Sequence, residues 1–405
     1  MTQRLVIVGA GQAGFALAAR LRALKDMRPI TMIGAEEVPP YQRPPLSKKY
    51  LLGDMAFDRL TFRQEDWYAE HDVELRLSTF VEEIDRTARR IRMQDGSFLE
   101  YQTMALTTGA APRELPAGVG GDLDGVYVMR SKRDADRLSA EMRAGRRLLV
   151  IGGGYIGLEA AAVARHLGVE VTLIEMADRI LARVASSQTA DVIRTIHLQH
   201  GVSIREKTGL VRLIEKDGRV CGAELSDGSI IEVDFVVVGI GVSPNDRLAR
   251  ETGLDVGNGV LVDAFGRTSD PFIYAAGDCT VLPWNGAHIR LESVQNAVDQ
   301  AEAIAAVLAG GDTPYDPKPW FWSDQYDVKL QIAGFNLGYD ETLVRPGMRE
   351  GSISIWYFRE GRFLAVDAIN DAKAYVTGKK LLDSGNEPDR RILADPSADL
   401  KQLLV

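Results

Sequence analysis

The chain has 405 residues, of which 45% are hydrophobic and 26% are charged, and its formal net charge is −9. This length exceeds the roughly 250–300 residues at which a single hydrophobic core stops growing, so we expect two or three domains. The acidic balance disfavours a nucleic-acid partner, and the absence of an apolar run near the roughly 20 residues of a bilayer span disfavours a membrane partner.

The start of the chain predicts a cytoplasmic location. Residues 1–3 lead directly into an apolar segment and a glycine loop, which leaves no room for a signal peptide. The two cysteines, Cys221 and Cys279, lie far apart in different motifs. We expect both to be small buried residues, with no disulfide and no metal site.

The first informative stretch, residues 5–21, is an apolar segment, a glycine-rich loop and a helical apolar pattern. In such a unit Gly9 permits the tight turn, Gly11 lets the backbone approach a pyrophosphate, and Gly14 lets the helix pack on the strand. After the next apolar segment, Glu36 stands about 20 residues beyond the loop, where a ribose-binding acid is expected. This pattern predicts an adenosine dinucleotide site.

The same pattern recurs over residues 148–175. Its acid, Glu175, would accept hydrogen bonds from both ribose hydroxyls and would repel the 2′-phosphate of NADP. The pattern therefore favours NAD, while Arg179 lies close enough in the chain to keep NADP open. The loop residues expected to contact this second dinucleotide are Gly152, Gly154, Tyr155, Ile156 and Gly157.

Two dinucleotide sites in one chain predict an enzyme with one tightly bound flavin and one exchangeable nicotinamide. The N-terminal site is expected to hold FAD and the second NADH, because later segments continue the first domain after the second unit interrupts it. The expected FAD domain covers residues 1–107 and 244–315, the NAD domain 108–243, and the C-terminal domain 316–405. The expected fold class is α/β, with two Rossmann-like domains and a small α+β C-terminal domain.

The later part of the chain predicts the remaining elements. Residues 231–241 are expected to form one buried strand, with Gly241 leaving space for the nicotinamide. Trp320 and Trp322 are expected to face opposite sides if their segment is extended. The C-terminal domain is expected to consist of three antiparallel strands and one helix, at residues 329–333, 352–358, 362–368 and 372–382.

Three further segments, residues 107–110, 268–278 and 320–325, carry a family resemblance. Together with the two glycine loops, they resemble the FAD-dependent, NADH-using reductases that feed two-iron ferredoxins in bacterial oxygenase systems. The resemblance covers essentially the whole chain. It implies that NADH gives hydride to FAD, and that FAD passes single electrons to a two-iron, two-sulfur ferredoxin supplying a haem monooxygenase or an aromatic-ring dioxygenase.

The resemblance also implies how the flavin is held. Asp278 would bind the ribityl chain, and a helix beginning near Val294 would direct its N-terminus at the pyrimidine end, where reduction leaves negative charge. Residues 41–48 resemble the loop that flanks the flavin in this family. Lys48 would lie beside the isoalloxazine and pair with Glu159, so these two are the predicted catalytic residues. Relatives often place the FAD ribose acid one position before Glu36. Further FAD contacts implied by the resemblance are Ala13, Arg43, Val81, Arg130 and Trp320.

The positions of the cysteines limit which electron acceptors the flavin can serve. No cysteine precedes Cys221, so a dithiol relay is excluded. From the residues alone, electrons leave directly to a protein carrier, to oxygen or to a quinone-like molecule, and a reductase of rubredoxin or of a small molecule is the nearest alternative. A redox-sensing binding protein, like the mitochondrial death-associated flavoproteins, is the alternative from another class, which the lack of a targeting sequence disfavours.

Overall fold

A computed structural model describes residues 4–404. Residues 1–3, on which the expectation about a signal peptide rests, lie outside the described part. None of the helices between residues 4 and 404 combines the length and the apolar composition that crossing a bilayer requires.

The strands are β1 (Leu5–Val8), β2 (Ile30–Ile33), β3 (Val73–Arg76), β4 (Val81–Asp85), β5 (Arg90–Met93), β6 (Phe98–Glu100), β7 (Thr103–Leu106), β8 (Ala110–Pro112), β9 (Val126–Tyr127), β10 (Arg147–Ile151), β11 (Glu170–Glu175), β12 (Ser203–Glu206), β13 (Leu210–Lys216), β14 (Arg219–Leu225), β15 (Ile230–Glu232), β16 (Phe235–Val238), β17 (Val242–Pro244), β18 (Val256–Gly257), β19 (Gly259–Leu261), β20 (Ile273–Ala275), β21 (Thr280–Trp284), β22 (Ala287–Ile289), β23 (Trp320–Gln325), β24 (Val328–Gly334), β25 (Glu341–Pro346), β26 (Ile353–Arg359) and β27 (Arg362–Ile369). The helices are α1 (Gln12–Ala23), α2 (Glu65–Glu70), α3 (Lys132–Ser139), α4 (Tyr155–His166), α5 (Ser187–Gln199), α6 (Arg247–Glu251), α7 (Val294–Leu308), α8 (Ala372–Ser384) and α9 (Arg390–Ala394), with short 3-10 helices at Pro44–Ser47, Phe57–Arg59, Ala117–Val119 and Leu400–Leu404.

The chain forms two compact units, each built from several chain segments. Unit 1 consists of the described residues up to 42, of 57–111 and of 242–319; unit 2 consists of 43–56, 112–241 and the described residues from 320 onward. The division into FAD, NAD and C-terminal domains at the expected boundaries stays a prediction.

Unit 1 is centred on a parallel sheet with the strand order β20-β7-β1-β2-β3. All four residues of β1 are buried, as expected for a central parallel strand that is covered on both faces. Helices α1 and α7 pack on this sheet through a shared apolar core that includes Leu17, Leu21 and Ile304. The sheet brings the loop after β1 and the turn after β20 to the carboxyl ends of their strands, the edge at which doubly wound folds bind ligands.

Unit 2 contains a second parallel sheet, with the order β12-β11-β10-β16-β9, and an antiparallel sheet β13-β14-β15. The expectation of one strand over residues 231–241 is wrong, because β15 belongs to the antiparallel sheet and β16 to the parallel one. The chain changes sheets at Asp234, whose carboxylate accepts a hydrogen bond of 2.7 Å from the backbone N–H of Arg147. Asp234 stands directly before the fully buried strand β16 and marks this break.

The C-terminal part of unit 2 is an antiparallel sheet with the order β23-β24-β27-β26-β25, packed against α8 through Trp356, Val366 and Leu381. The expectation of three strands is wrong, since β23 and β25 extend the sheet to five. Strand β25 was missed because it carries charged residues. One of them, Arg345, is buried and donates hydrogen bonds to backbone carbonyls that include those of Leu393 and Ala398.

The two cysteines differ in exposure. Cys279 is buried, as expected, whereas Cys221 is only half-buried, so that expectation is wrong. Strand β14 alternates between half-buried and buried positions over its first residues, and Cys221 occupies one of the half-buried positions.

A buried carboxyl group links α5 to the C-terminal sheet within unit 2. Asp367 of β27 accepts hydrogen bonds from the hydroxyls of Thr189, at 2.7 Å, and of Tyr357, and Tyr357 in turn accepts one from the backbone N–H of Ser186. The second carboxyl oxygen of Asp367 has no partner within residues 4–404. Burial therefore raises the pKa of Asp367 from 3.8 to about 6.

We expect Asp367→Asn to flatten the pH dependence of stability. Because the pKa of Asp367 is raised on folding, the wild-type protein should lose unfolding free energy as the pH rises from 4 through 6, by roughly 3 kcal/mol. Urea unfolding of wild type and variant at pH 4.5 and pH 7.5 measures the difference. Asp383→Asn, at an exposed position of α8, is the control. A difference between wild type and Asp367→Asn that does not change with pH would contradict the prediction.

Candidate functional site

The first glycine loop, in unit 1, is shaped for a phosphate group. The backbone of Gly9 has a φ of 121°, and an added Cβ there would clash with the carbonyl oxygen of Thr107. An added Cβ at Gly14 would clash with the carbonyl oxygen of Gly9. At Gly11 it would meet nothing within 4 Å, and this residue, the N-cap directly before α1, provides no side-chain cap. The loop therefore offers open space beside free backbone N–H groups, which fits the pyrophosphate of a dinucleotide.

The predicted ribose acid of this loop is held by a nearby tyrosine. The hydroxyl of Tyr41 donates a hydrogen bond of 2.7 Å to Glu36, just beyond β2. Glu36 is half-buried while the preceding Ala35 is exposed, which favours Glu36 for the role, and the role stays a prediction. The two expected backbone contacts, Ala13 in α1 and Val81 at the start of β4, are both buried.

The Gly-Asp turn of unit 1 is fixed by α7. The side-chain oxygen of Gln300 accepts a hydrogen bond of 2.8 Å from the backbone N–H of Gly277, directly before Asp278. Helix α7 begins at Val294, as expected, with Ser293 as its N-terminal cap, and its first turn contains no acidic residue. A helix N-terminus of this kind stabilises negative charge.

The second glycine loop, in unit 2, repeats the geometry of the first. Gly152 has a φ of 104°, and an added Cβ at Gly157 would clash with its carbonyl oxygen. At Gly154, which precedes α4, the nearest atom to an added Cβ lies 4.0 Å away. Glu175, the last residue of β11, accepts hydrogen bonds of 2.7 Å from the N–H of Gly153 and 2.8 Å from that of Ala177. These bonds hold the carboxylate of Glu175 against the loop, where an adenosine ribose would lie.

We expect Glu175→Ser to reduce discrimination against NADPH. A carboxylate beside the 2′-phosphate repels it, so its removal should lower the ratio of kcat/KM for NADH over NADPH by about 10²-fold. Steady-state kinetics with both donors measures the ratio. Glu170→Ser, at the exposed opposite end of β11, is the matched control. A wild-type preference for NADPH would show that the role given to Glu175 is wrong.

The predicted catalytic residues Lys48 and Glu159 form an ion pair in unit 2. The Nζ atom of Lys48 lies 3.1 Å from Oε1 of Glu159 and 3.8 Å from Oδ2 of Asp324. The hydroxyls of Ser47 and Ser323 donate hydrogen bonds of 2.8 and 2.7 Å to the Glu159 carboxylate. Burial raises the pKa of Glu159, and these donors and Lys48 oppose that effect. The pairing is therefore present, while its place beside the flavin stays a prediction.

The tryptophans of β23 lie on one face of the strand. The rings of Trp320 and Trp322 stack with their centroids 5.5 Å apart. The expectation of opposite faces is wrong, because side chains two residues apart in a strand point the same way. The Nζ atoms of Lys379 and Lys48 lie 5.5 and 5.7 Å from the Trp320 and Trp322 rings, respectively. Each ring thus carries a cation within cation–π range.

Tyr155, the first residue of α4, packs against the opposite face of β23. Its ring centroid lies 4.8 Å from that of Phe321, and its buried hydroxyl has no hydrogen-bond partner among residues 4–404. The ring of Tyr155 therefore links the second glycine loop to the C-terminal sheet. The next residue, Ile156, is 43% exposed.

The other predicted positions of unit 2 are arranged as follows. The guanidinium of Arg43 donates a hydrogen bond of 2.9 Å to the carbonyl of Arg130. Gly241 has a φ of 97° and follows β16. Sequence reasoning did not assign a role to Ser47 or Ser323, which contact the predicted catalytic carboxylate. Both serines belong to segments that the resemblance singled out, and this was the available signal.

Comparisons with known proteins identify the family of the chain. Residues 3–301, more than half of the chain, match the pyridine nucleotide-disulphide oxidoreductase family, and residues 320–404 match the reductase C-terminal family. Rhodocoxin reductase of Rhodococcus erythropolis is 43% identical over 98% of this chain and 93% of its own length. A ferredoxin–NAD(P)(+) reductase of a Sphingomonas species is 42% identical over 99% of this chain and 97% of its own length.

A solved structure is similar throughout. The covalent putidaredoxin reductase–putidaredoxin complex contains a chain with a TM-score of 0.96 and 36% identity, and the match covers 99% of this chain and 98% of that one. These matches confirm the expected fold class, the expected oxidoreductase activity and the expected cofactors, FAD and a nicotinamide dinucleotide. The chain belongs to the pyridine nucleotide-disulphide oxidoreductase family and carries the reductase C-terminal domain.

Proposed function

We propose that the protein is an NADH-dependent reductase of a two-iron, two-sulfur ferredoxin, which in turn supplies a haem monooxygenase or an aromatic-ring dioxygenase. The observation that carries this proposal is the similarity along nearly the whole chain to proteins named as reductases of ferredoxin and rhodocoxin. The two glycine loops and the C-terminal sheet supply the parts that such a reductase needs.

The choice of NADH over NADPH rests on Glu175. Its carboxylate stands at the end of β11 and is held toward the second glycine loop by the N–H of Gly153. A ribose with free hydroxyls donates hydrogen bonds to a carboxylate, whereas a 2′-phosphate is repelled. Arg179 does not offset this charge at the ribose, because its guanidinium donates to the backbone carbonyls of Ile180 and Ala185.

The chemistry of the reaction belongs to the cofactor, which when bound accepts hydride from NADH and releases electrons singly. The chain supplies binding and electrostatics. The N–H groups before α1 would hold the FAD pyrophosphate, and those before α4 would hold the NADH pyrophosphate. Lys48 provides a fixed positive charge whose position is set by Glu159. The N-terminus of α7 provides a second source of positive potential.

The proposed function includes a cytoplasmic location. Both cysteines are free thiols in the part of the chain that the structure describes, which is typical of a reducing compartment. An NADH donor suits the same compartment. Fractionation of producing cells beside a cytoplasmic and a periplasmic marker checks this; we expect the protein to follow the cytoplasmic marker, and recovery with the periplasmic marker would contradict the proposal.

A coupled assay tests the electron acceptor. The holoenzyme is supplied with NADH and cytochrome c, alone and with a two-iron ferredoxin or a rubredoxin as intermediate carrier. We expect the ferredoxin to increase cytochrome c reduction at least about tenfold over the enzyme alone, as a positioned carrier should. Equal rates with and without ferredoxin, or a larger effect of rubredoxin, would contradict the proposal.

A further inference from the structure

A series of buried hydrogen bonds extends away from Glu159 through unit 2. Ser323 contacts Glu159 at 2.7 Å, Gln325 contacts Ser323 at 3.1 Å, and Nε2 of His197 contacts Gln325 at 2.7 Å. All four side chains are buried. This series of hydrogen bonds ends at Tyr326, whose hydroxyl lies 3.2 Å from Nδ1 of His197.

The hydrogen bonds of this series all run from donor to acceptor in the same direction. The amide N–H of Gln325 donates to Ser323, so the Ser323 hydroxyl has its own proton available for Glu159. The amide oxygen of Gln325 needs a donor, and His197 provides it only as the tautomer with a proton on Nε2. Each hydrogen bond of the series therefore has a fixed donor and acceptor, and the donors follow one another from His197 to the Glu159 carboxylate.

The protonation state of His197 is consistent with this direction. Burial lowers the pKa of His197 to about 4, so the ring is neutral at neutral pH and has one donor and one acceptor. The acceptor, Nδ1, faces the hydroxyl of Tyr326. Both ring nitrogens thus have a matching partner, and a single tautomer of His197 satisfies every hydrogen bond of the series.

We propose that His197, acting through Gln325 and Ser323, is a positioning residue for Glu159: it orients the hydroxyl donor that holds the Glu159 carboxylate in place against Lys48. This inference deepens the proposed function, because it rests on the Lys48–Glu159 pair serving the reaction with NADH. The amide of Gln325 interrupts any path for protons. The series of hydrogen bonds therefore orients the Glu159 carboxylate and does not conduct protons.

The register of β23 explains how distant elements reach Glu159. Ser323 and Gln325 stand two residues apart and point to the same face of the strand, the face that meets Glu159 of α4 and His197 of α5. The charged and titratable groups around Glu159 are Lys48 of the 41–48 segment, Asp324 of β23 and His197 of α5. Of these three groups, Lys48 is the one that forms an ion pair with Glu159.

The experiment measures the ionisation of Glu159 in the oxidised holoenzyme without NADH. The side-chain carboxyl carbon of Glu159 is followed by ¹³C NMR across pH and identified by its loss in Glu159→Gln. Ser323→Ala should raise the pKa of Glu159 by about one unit, since it removes a hydrogen bond to a charged group. His197→Leu and Gln325→Met should raise it by about half a unit, because the remaining hydroxyl loses its orientation.

Two further variants separate positioning from general damage to the fold. His197→Gln keeps a donor near Nε2 and should restore the wild-type value, and Gln199→Ala, at the exposed last position of α5, should leave it unchanged. An unchanged Glu159 pKa in both Gln325→Met and His197→Leu would overturn the inference. A raised pKa without any change in the pH profile of flavin reduction by NADH would support the positioning role and overturn the part of the proposed function that rests on the pair.

Discussion

Gly11→Ala is expected to fold normally and to lose FAD, whereas Gly154→Ala should keep FAD and lose affinity for NADH. Neither added methyl group meets a protein atom closer than 4.0 Å, so neither variant should be destabilised by a clash. The methyl group instead occupies the space through which the backbone approaches a pyrophosphate. We expect at least about a tenfold weakening at the affected site, or about 1.4 kcal/mol.

The matched controls follow from the same geometry. Gly118→Ala adds a methyl group in open space outside both loops and should change neither cofactor. Gly14→Ala and Gly157→Ala place the methyl group against a backbone carbonyl oxygen and should destabilise the fold itself. FAD content from flavin absorbance and KM for NADH report on the two sites separately. Loss of FAD in Gly154→Ala, or full FAD content in Gly11→Ala, would contradict the assignment of the two loops.

Lys48→Met is expected to slow reduction of the bound flavin by NADH by about 10²-fold, the usual effect of removing one fixed charge from a reacting centre. The change also leaves Glu159 buried without its cation, so the carboxyl should become protonated more readily. Anaerobic stopped-flow absorbance at the flavin band measures the rate. Lys49→Met, at the adjacent exposed position, is the control.

A double-mutant cycle extends this prediction to the pair. If Lys48 acts only in partnership with Glu159, the change Glu159→Gln should slow reduction as well. The double variant should then be less impaired than the product of the two single effects. Additive effects would show that the two residues act independently. Reduction of Lys48→Met at the wild-type rate would remove Lys48 from the reaction.

The fold was predictable wherever local pattern and tertiary role agree. The two strand–loop–helix units follow from glycine spacing and apolar periodicity, the start of α7 at Val294 follows from the family resemblance, and the structure has all three where expected. Prediction failed where a polar residue plays a structural part. The chain passes from one sheet to another at Asp234. Strand β25 contains the charged residue Arg345, which is buried in the structure although its residue type indicates an exposed position.

The glycines and acids of the candidate site could be proposed from the sequence, because dinucleotide binding requires those residue types at those spacings. The supporting residues could not. Ser323 and Gln325 of β23 meet His197 of α5 and Glu159 of α4 only through tertiary packing. The stacking of Trp320 on Trp322 was missed for a simpler reason, an error in applying the two-residue period of a strand.

The most direct test of electron transfer from NADH to a ferredoxin is a single-turnover experiment. The holoenzyme is reduced with one equivalent of NADH without oxygen and mixed in a stopped-flow instrument with an oxidised two-iron, two-sulfur ferredoxin. We expect the flavin band to return while two equivalents of ferredoxin are reduced, faster than reoxidation by dissolved oxygen. Return of the flavin band no faster with ferredoxin than with air alone would contradict it.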